Sequence, residues 1–442
     1  MSPQPVAPPD PSLCLLLIIL VPLSLAGLAL MNTGLCRSRS AALSMMSTLC
    51  AIGVAALAYF IVGFAIEGFS DLPAHTAIIA GTHWNWLGAG RLFLRGVPLD
   101  GSRASLAALF QLLGVGLAAL IPVGAAAERW RLRACCLSTA LLAGIIYPIF
   151  AHWVWAGGWL AQLGSNYGLG LGFLDAAGGS SIQAVGGSAA LSLVWLLGAR
   201  RGKYNPDGMP AALPGHNTVL VLFGCLLTLI GWMALNAAGS ILFADITLGR
   251  TVLVAINTVL AATGGLLAAG LITKYRFGKP DASLSANGWT CGLAASSAGC
   301  AFVPPAAALL IGLVAGVLVT YTVAWMEARM GLDDPAGAVS VHAIGGVWGI
   351  IAVGLFPLTA ATLPAAATPA PTASGQMVAQ VVGVATLLGF VLPFTYGLNW
   401  LLDRFIPQRI PPEEERQGAD LFELGAGAYP EFITHTDEFS QW

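Results

Sequence analysis

An all-α polytopic membrane protein is the fold class predicted for this chain of 442 residues, and three observations carry the prediction. Hydrophobic residues make up 57% of the chain and charged residues 9%, far from the roughly 25% charged content of soluble domains. Mean hydropathy is +0.79. The apolar residues gather into stretches long enough to cross a hydrocarbon core of about 30 Å, and the basic residues fall mainly on one side of those stretches.

In chain order the apolar stretches cover 12–34, 43–66, 104–126, 134–158, 176–198, 217–238, 249–273, 286–303, 305–326, 338–357 and 375–402. They predict eleven helices, the eighth short and rich in Gly, Ala and Ser. With the N-terminus outside, only Arg91, Arg95, Arg103 and Arg250 of the 19 basic residues lie outside. The other 15 are cytoplasmic, as the positive-inside rule requires. The expected organisation is an extracytoplasmic segment 1–11, a membrane domain 12–402 and a cytoplasmic tail 403–442. The first eleven residues carry no Lys or Arg, and the apolar run after them exceeds a signal-peptide core, so the first helix is expected to be retained. The localisation implied is multi-pass, in the plasma (inner) membrane.

Several features point to no chemistry. The eight cysteines include no CxxC pair and read as small core residues, not metal or redox centres. The run "GLGLGF" has no preceding strand and reads as a turn rather than a nucleotide loop. Most of the 54 glycines are explained by close helix packing. His152 reads as interfacial packing, and His83, in "THWNWLGAG", as an interfacial aromatic cluster in an outer loop. His75, His216 and His435 suggest nothing. The basic residues are topological, so neither nucleic-acid binding nor covalent catalysis is indicated, and no cofactor is expected.

One stretch is written twice. "DAAGGSSIQAVGG" (175–187) and "DPAGAVSVHAIGG" (334–346) agree without a gap at seven of thirteen places. With eleven spans the two copies run in opposite directions, each opening on an Asp suited to cap a helix. Eight residues further on, ~12 Å deeper at 1.5 Å per residue, come Gln183 in the first copy and His342 in the second. This pattern predicts an inverted repeat of five helices plus five (about 12–200 and 217–357), with the helix at 375–402 outside the symmetry and a polar site at the repeat interface. A polar side chain at that depth is a candidate for a pathway. The alternative is that Gln183 and His342 merely hydrogen-bond to each other or to neighbouring helices.

These residues resemble the ammonium transporter (Amt/Mep/Rh) family as a divergent bacterial-type member. The motifs are "FQLLGVGLAALIPVGAAAER", "AHWVWAGGWL", "DAAGGSSIQ", "GWMALNAAGS", "NGWTCGLAASSAGCAFV", "SVHAIGGVWG" and "GADLFELGAGAY". The resemblance implies a homotrimer with one narrow pore per subunit. It also implies an outer cation-recruiting site at Phe110, Trp155 and Gly239, where the family has two aromatics and a Ser. Below it, the family's two gating Phe rings fall on Gly114 and Leu235, so that gate is missing here. The family's pore histidines fall on Gln183 and His342. Imidazole titrates near neutral pH and a primary amide does not, so one member of a proton-relay pair is lost. Asp175 matches the family's Asp at the start of the fifth helix, with a capping or proton-related role.

The implied function is an ammonium/ammonia transporter or channel with weakened electrogenic proton relay, and not an enzyme. The alternatives are a non-transporting ammonium or amine sensor-like relative and a channel for another small neutral solute such as carbon dioxide or methylamine. The tail "PPEEERQGADLFELGAGAYPEF" resembles the family's tail, with Leu424 where the family has His, and implies a PII-type signal protein as a possible partner. The chain carries no kinase or cyclase domain before Trp442. The acidic run Glu413 to Glu415 reads as a solvated face.

Overall fold

The computed structural model describes residues 11–69, 72–356 and 373–432. The expected outer segment lies, except for Pro11, outside the described residues, as do His435 and the end of the tail. Among the described residues nine helices are long and apolar enough to cross a membrane. They are Pro11–Leu35, Ser38–Glu67, Arg103–Ala125, Leu132–Trp155, Gly179–Leu197, Thr218–Phe243, Leu248–Phe277, Pro305–Met330 and Ser374–Phe405. Two more, Ala282–Gly299 and Val339–Leu355, stand where the eighth and tenth spans were expected. Ala282–Gly299 has a weak apolar signal because it is packed inside the bundle, not against lipid. A Cβ at Gly265 would lie 2.0 Å from the Gly288 carbonyl oxygen, and one at Gly292 only 2.2 Å from that of Ala261. Backbones this close exclude any side chain at those positions, the usual reason for small residues at membrane helix contacts.

The outer connection expected as a loop around His75 and His83 is instead a β-hairpin. Ala74–Ile79 pairs antiparallel with Thr82–Gly88, with an irregular step between His75 and Thr76. Ala80 and Gly81 turn it with φ of +51° and +81°, the backbone that a two-residue hairpin turn requires. Trp84 is buried, and Trp86 packs against Trp159 with ring centroids 6.0 Å apart. The aromatic content of this segment was legible, and its strand pairing was not.

The two echoing stretches fold alike. In the first, Asp175 accepts from the amides of Gly178, Gly179, Ser180 and Ser181 and from the Ser180 hydroxyl, at 2.5–3.1 Å. In the second, Asp334 accepts from the amides of Ala338 and Val339 at 3.0 and 2.7 Å. Each carboxylate satisfies helix donors that have no partner within the helix. Each cap is followed by a π-helical turn, Gly179–Ala184 and Val339–Ile344, before the α-helix resumes. The segments cross in close contact, a Cβ at Gly187 falling 2.2 Å from the Ala343 nitrogen and one at Gly346 falling 2.6 Å from the Gly179 oxygen.

At the end of the bundle that carries Asp333, a charge cluster ties three connections together. Arg200 donates to Asp333 through its backbone amide (2.8 Å), Nε (2.8 Å) and Nη2 (3.0 Å), and also to Glu128, which Arg37 reaches as well. Arg129 spans Gly198 and Asp333, donating to their carbonyl oxygens at 2.7 and 2.6 Å. The tail packs beside this cluster. Gln408 accepts from the Trp130 indole (3.0 Å) and the Arg131 amide (2.9 Å), and Asp420 accepts from the amides of Ala42 and Leu43 at 3.1 and 2.7 Å.

Two expectations fail here. The acidic run is not simply solvated: Glu415 is buried, accepting from the Arg201 amide at 2.6 Å and from Arg409 at 2.8 Å, while Glu413 is exposed. His216 is not idle, since it joins the Cys36 carbonyl to the Tyr429 hydroxyl, at 3.0 Å each. Leu424 packs beside the Leu43, Ile410 and Ala419 cluster.

Candidate functional site

The aromatics expected at the outer site come together. Phe110, one turn above Gly114 on Arg103–Ala125, meets Trp155 edge to face with centroids 6.3 Å apart. The Trp155 indole donates to the Asp175 carbonyl at 2.7 Å, which fixes the ring. A third ring joins them that sequence reasoning missed. Phe243 stacks on Trp155 at 4.3 Å with an interplanar angle of 11° and meets Phe110 at 5.5 Å. The sixth helix was expected to end at 238, and it runs five residues further, which carries Phe243 over the indole. Gly239 does not face these rings. A Cβ there would meet Ala177 Cα at 2.8 Å, so position 239 is a packing contact against the start of the fifth helix.

At the expected gate, Leu235 is fully buried. A Cβ at Gly114 would lie 3.1 Å from both the Tyr147 hydroxyl and Ile182 Cδ1. The place a gating ring would take from position 114 is therefore already occupied by Tyr147 and Ile182. Immediately after Ile182 comes Gln183, and its amide oxygen accepts from His342 Nδ1 at 2.7 Å. Both side chains are essentially buried. With Nδ1 carrying the proton, His342 keeps a lone pair on Nε2. The Gln183 Nε2 is buried without a hydrogen-bond partner. Trp232 stacks on the His342 ring at 6.4 Å and 21°, held by its own bond to the Ser297 hydroxyl at 2.9 Å. His342 also lines a cleft together with Met31, Asn32, Asn287 and Thr290.

The arrangement thus lines up an aromatic cluster, a crowded constriction and a single imidazole bonded to an amide, all buried in a helical bundle. No group of three or more His, Cys, Asp or Glu suited to a metal ion occurs among the described residues. His152, read as interfacial, is buried, with Nδ1 at 2.5 Å from the Glu67 carbonyl oxygen.

Comparison with known proteins agrees with this picture. The pattern of the Ammonium Transporter Family matches residues 12–429. Ammonium transporter Amt2 of Archaeoglobus fulgidus is 37% identical over 444 residues, covering 98% of this chain and 91% of its own. The ammonium transporter of Bacillus subtilis is 32% identical, covering 93% and 96%. Among solved structures, one named Sensor Amt Protein superposes with a TM-score of 0.83 at 27% identity, covering 94% of this chain and 98% of its own. Candida albicans Mep2 superposes with a TM-score of 0.78 at 23% identity, covering 98% and 93%, which shows the shared fold.

Proposed function

The chain belongs to the ammonium transporter family, and from that premise we propose that it conducts ammonium as neutral ammonia, with proton relay interrupted at Gln183. The observation that carries this reading is the Gln183–His342 hydrogen bond at 2.7 Å, where one partner titrates and the other does not. The free Gln183 N–H and the His342 Nε2 lone pair offer a donor and an acceptor to a small amine, with no second ring to accept its proton. Phe110 and Trp155 supply the outer aromatic faces, and Gly239 leaves that site without a hydroxyl. The paired Asp175 and Asp334 caps support five helices plus five in an inverted repeat, with an eleventh outside it, and the one-sided distribution of the basic residues supports an outer N-terminus and a cytoplasmic tail. The division at 12–402 and 403–442, a homotrimer in the plasma membrane and a PII-type protein on the tail belong to the same reading.

A second reading has a specific observation in its favour. Phe243 covers a face of Trp155 at 4.3 Å, and a cation attracted to an indole needs that face within about 6 Å of the centroid. A non-transporting, sensor-like relative would be closed to passage in this way.

Ammonium pulses on sealed proteoliposomes, with internal pH and current recorded together, separate the two. Internal alkalinisation above protein-free vesicles without matching current is the expected result. Absence of both signals from folded protein would overturn transport and leave the sensor reading, and selective uptake of another neutral solute would favour a retuned channel. Phe243→Ala is expected to lower the half-saturating methylammonium concentration about two- to thirtyfold, from the ~0.5–2 kcal/mol of an uncovered cation–π face. An unchanged value would show that Phe243 does not shield the site.

A further inference from the structure

A buried hydrogen-bond chain leads away from the Phe110–Gly114 turn. Glu67 ends the Ser38–Glu67 helix and is 2% exposed. The hairpin closes over it: a Cβ at Gly88 would fall 2.9 Å from the Glu67 carbonyl carbon. The Glu67 carboxylate accepts from the Tyr59 hydroxyl at 2.7 Å and from Gln111 Nε2. The Gln111 oxygen in turn accepts from the Tyr147 hydroxyl at 2.5 Å. Tyr59, Gln111 and Tyr147 are all buried.

The chain has a direction, and chemistry sets it. Gln111 turns its NH2 toward a Glu67 oxygen and its own oxygen toward the Tyr147 hydroxyl. The amide oxygen can then only accept, which commits the single proton of Tyr147 to Gln111. Only lone pairs remain on the Tyr147 oxygen. That oxygen stands 3.1 Å from the position of a Cβ at 114, beside Ile182, at the level where the gate is absent.

We propose that Tyr147 is an acceptor site for N–H donors in the solute path, and that Glu67, acting through Gln111, is the positioning residue that keeps it an acceptor. The ligand class is a small amine: ammonium, ammonia or methylammonium. A solute without a donor, such as carbon dioxide, gains nothing from this oxygen. The inference rests on the reading that the path passes the Gly114 constriction, and it adds a selectivity element that the Gln183–His342 pair does not supply.

The test uses full-length protein as native, Tyr147→Phe and Glu67→Gln. Two readouts are taken: ammonium-driven alkalinisation across a concentration series in proteoliposomes, and thermal stabilisation of the detergent-solubilised protein by ammonium chloride against sodium chloride. Tyr147→Phe is expected to raise the half-saturating ammonium concentration about two- to tenfold, the worth of one neutral hydrogen bond, with little change in maximal rate. Glu67→Gln is nearly isosteric and is expected to shift it in the same direction, because a second amide lets Gln111 turn round and frees the Tyr147 proton to face the path. A merely structural network would lower stability in both variants and leave the half-saturating concentration alone, which overturns the proposal. If native protein is stabilised by ammonium without conducting it, and Tyr147→Phe abolishes the stabilisation, the site stands and transport falls. If native protein shows neither response, both fall. Should Tyr147→Phe not fold, an unchanged half-saturation in Glu67→Gln is enough to reject the assignment.

Discussion

Arg200→Met should destabilise the protein by about 3–5 kcal/mol, the cost of leaving buried carboxylates without their partner. Arg200 is 4% exposed and donates to Asp333 three times and to Glu128 once; the backbone share of these bonds survives the substitution, and the guanidinium share does not. Glu128 retains Arg37, but Asp333 is left with Arg129, whose Nη1 is 3.9 Å away. Arg416→Met is the control. Arg416 meets Glu413 at 3.6 Å with both side chains mostly exposed, and exposed substitutions of this kind change stability by about 0.5 kcal/mol or less. Denaturant unfolding in mild detergent compares the two; equal midpoints would show that the Arg200 cluster does not hold the fold.

The same cluster sets a pH dependence of known sign. Burial pushes the Asp333 carboxyl up, but its hydrogen bonds to Arg200 and the charges of Arg129 and Arg200 outweigh that and hold it at about 2, below the ordinary 3.8. Its contribution is therefore complete above pH 3.8 and lost as pH falls toward 2. Asp334 goes the other way. Burial raises it to about 6 against the pull of its two amide donors, so its contribution is complete below 3.8 and lost as pH rises through 6. Because Asp334 caps the turn that carries His342, the cluster bears on the placement of that imidazole as well as on stability.

Hydropathy made the bundle legible, because lipid demands apolar length wherever a helix meets it. It served less well where a helix meets only protein, as in Ala282–Gly299, whose small residues serve contact rather than partitioning. The Gln183–His342 meeting was legible from the echo, since equal spacing from two Asp caps brings both side chains to one depth. Phe243 was missed because the Ala-Ala-Gly-Ser run before it resembles a helix end in hydropathy, though a ring one turn past Gly239 was the available signal. Glu67 was missed because a carboxylate at the edge of an apolar run reads as a loop. Tyr59, eight residues earlier and two turns away on the same helix, was the sign that it has a buried partner.

Gln183→His is expected to convert electrically silent ammonium flux into a measurable current. In the native pair the amide oxygen holds the Nδ1 proton of His342 at 2.7 Å and has no means of passing it on. An imidazole in that place accepts a proton on one nitrogen while releasing one from the other, so a proton taken from ammonium at the outer aromatics has a continuous route past His342. The site has room for the exchange in chemical terms, since the Gln183 Nε2 is buried with no partner to lose. Gln183→Leu separates relay from hydrogen bonding: it removes the amide without adding a titrating group, and it should carry no current. The measurement is current and internal pH in the same vesicles. Alkalinisation without current in the native protein and in Gln183→Leu, with current and reduced alkalinisation in Gln183→His because the proton now enters with the ammonia, would place the interruption at this residue. Current already present in the native protein would mean that protons cross elsewhere, and alkalinisation without current in Gln183→His would mean that a second imidazole is insufficient to rebuild the relay.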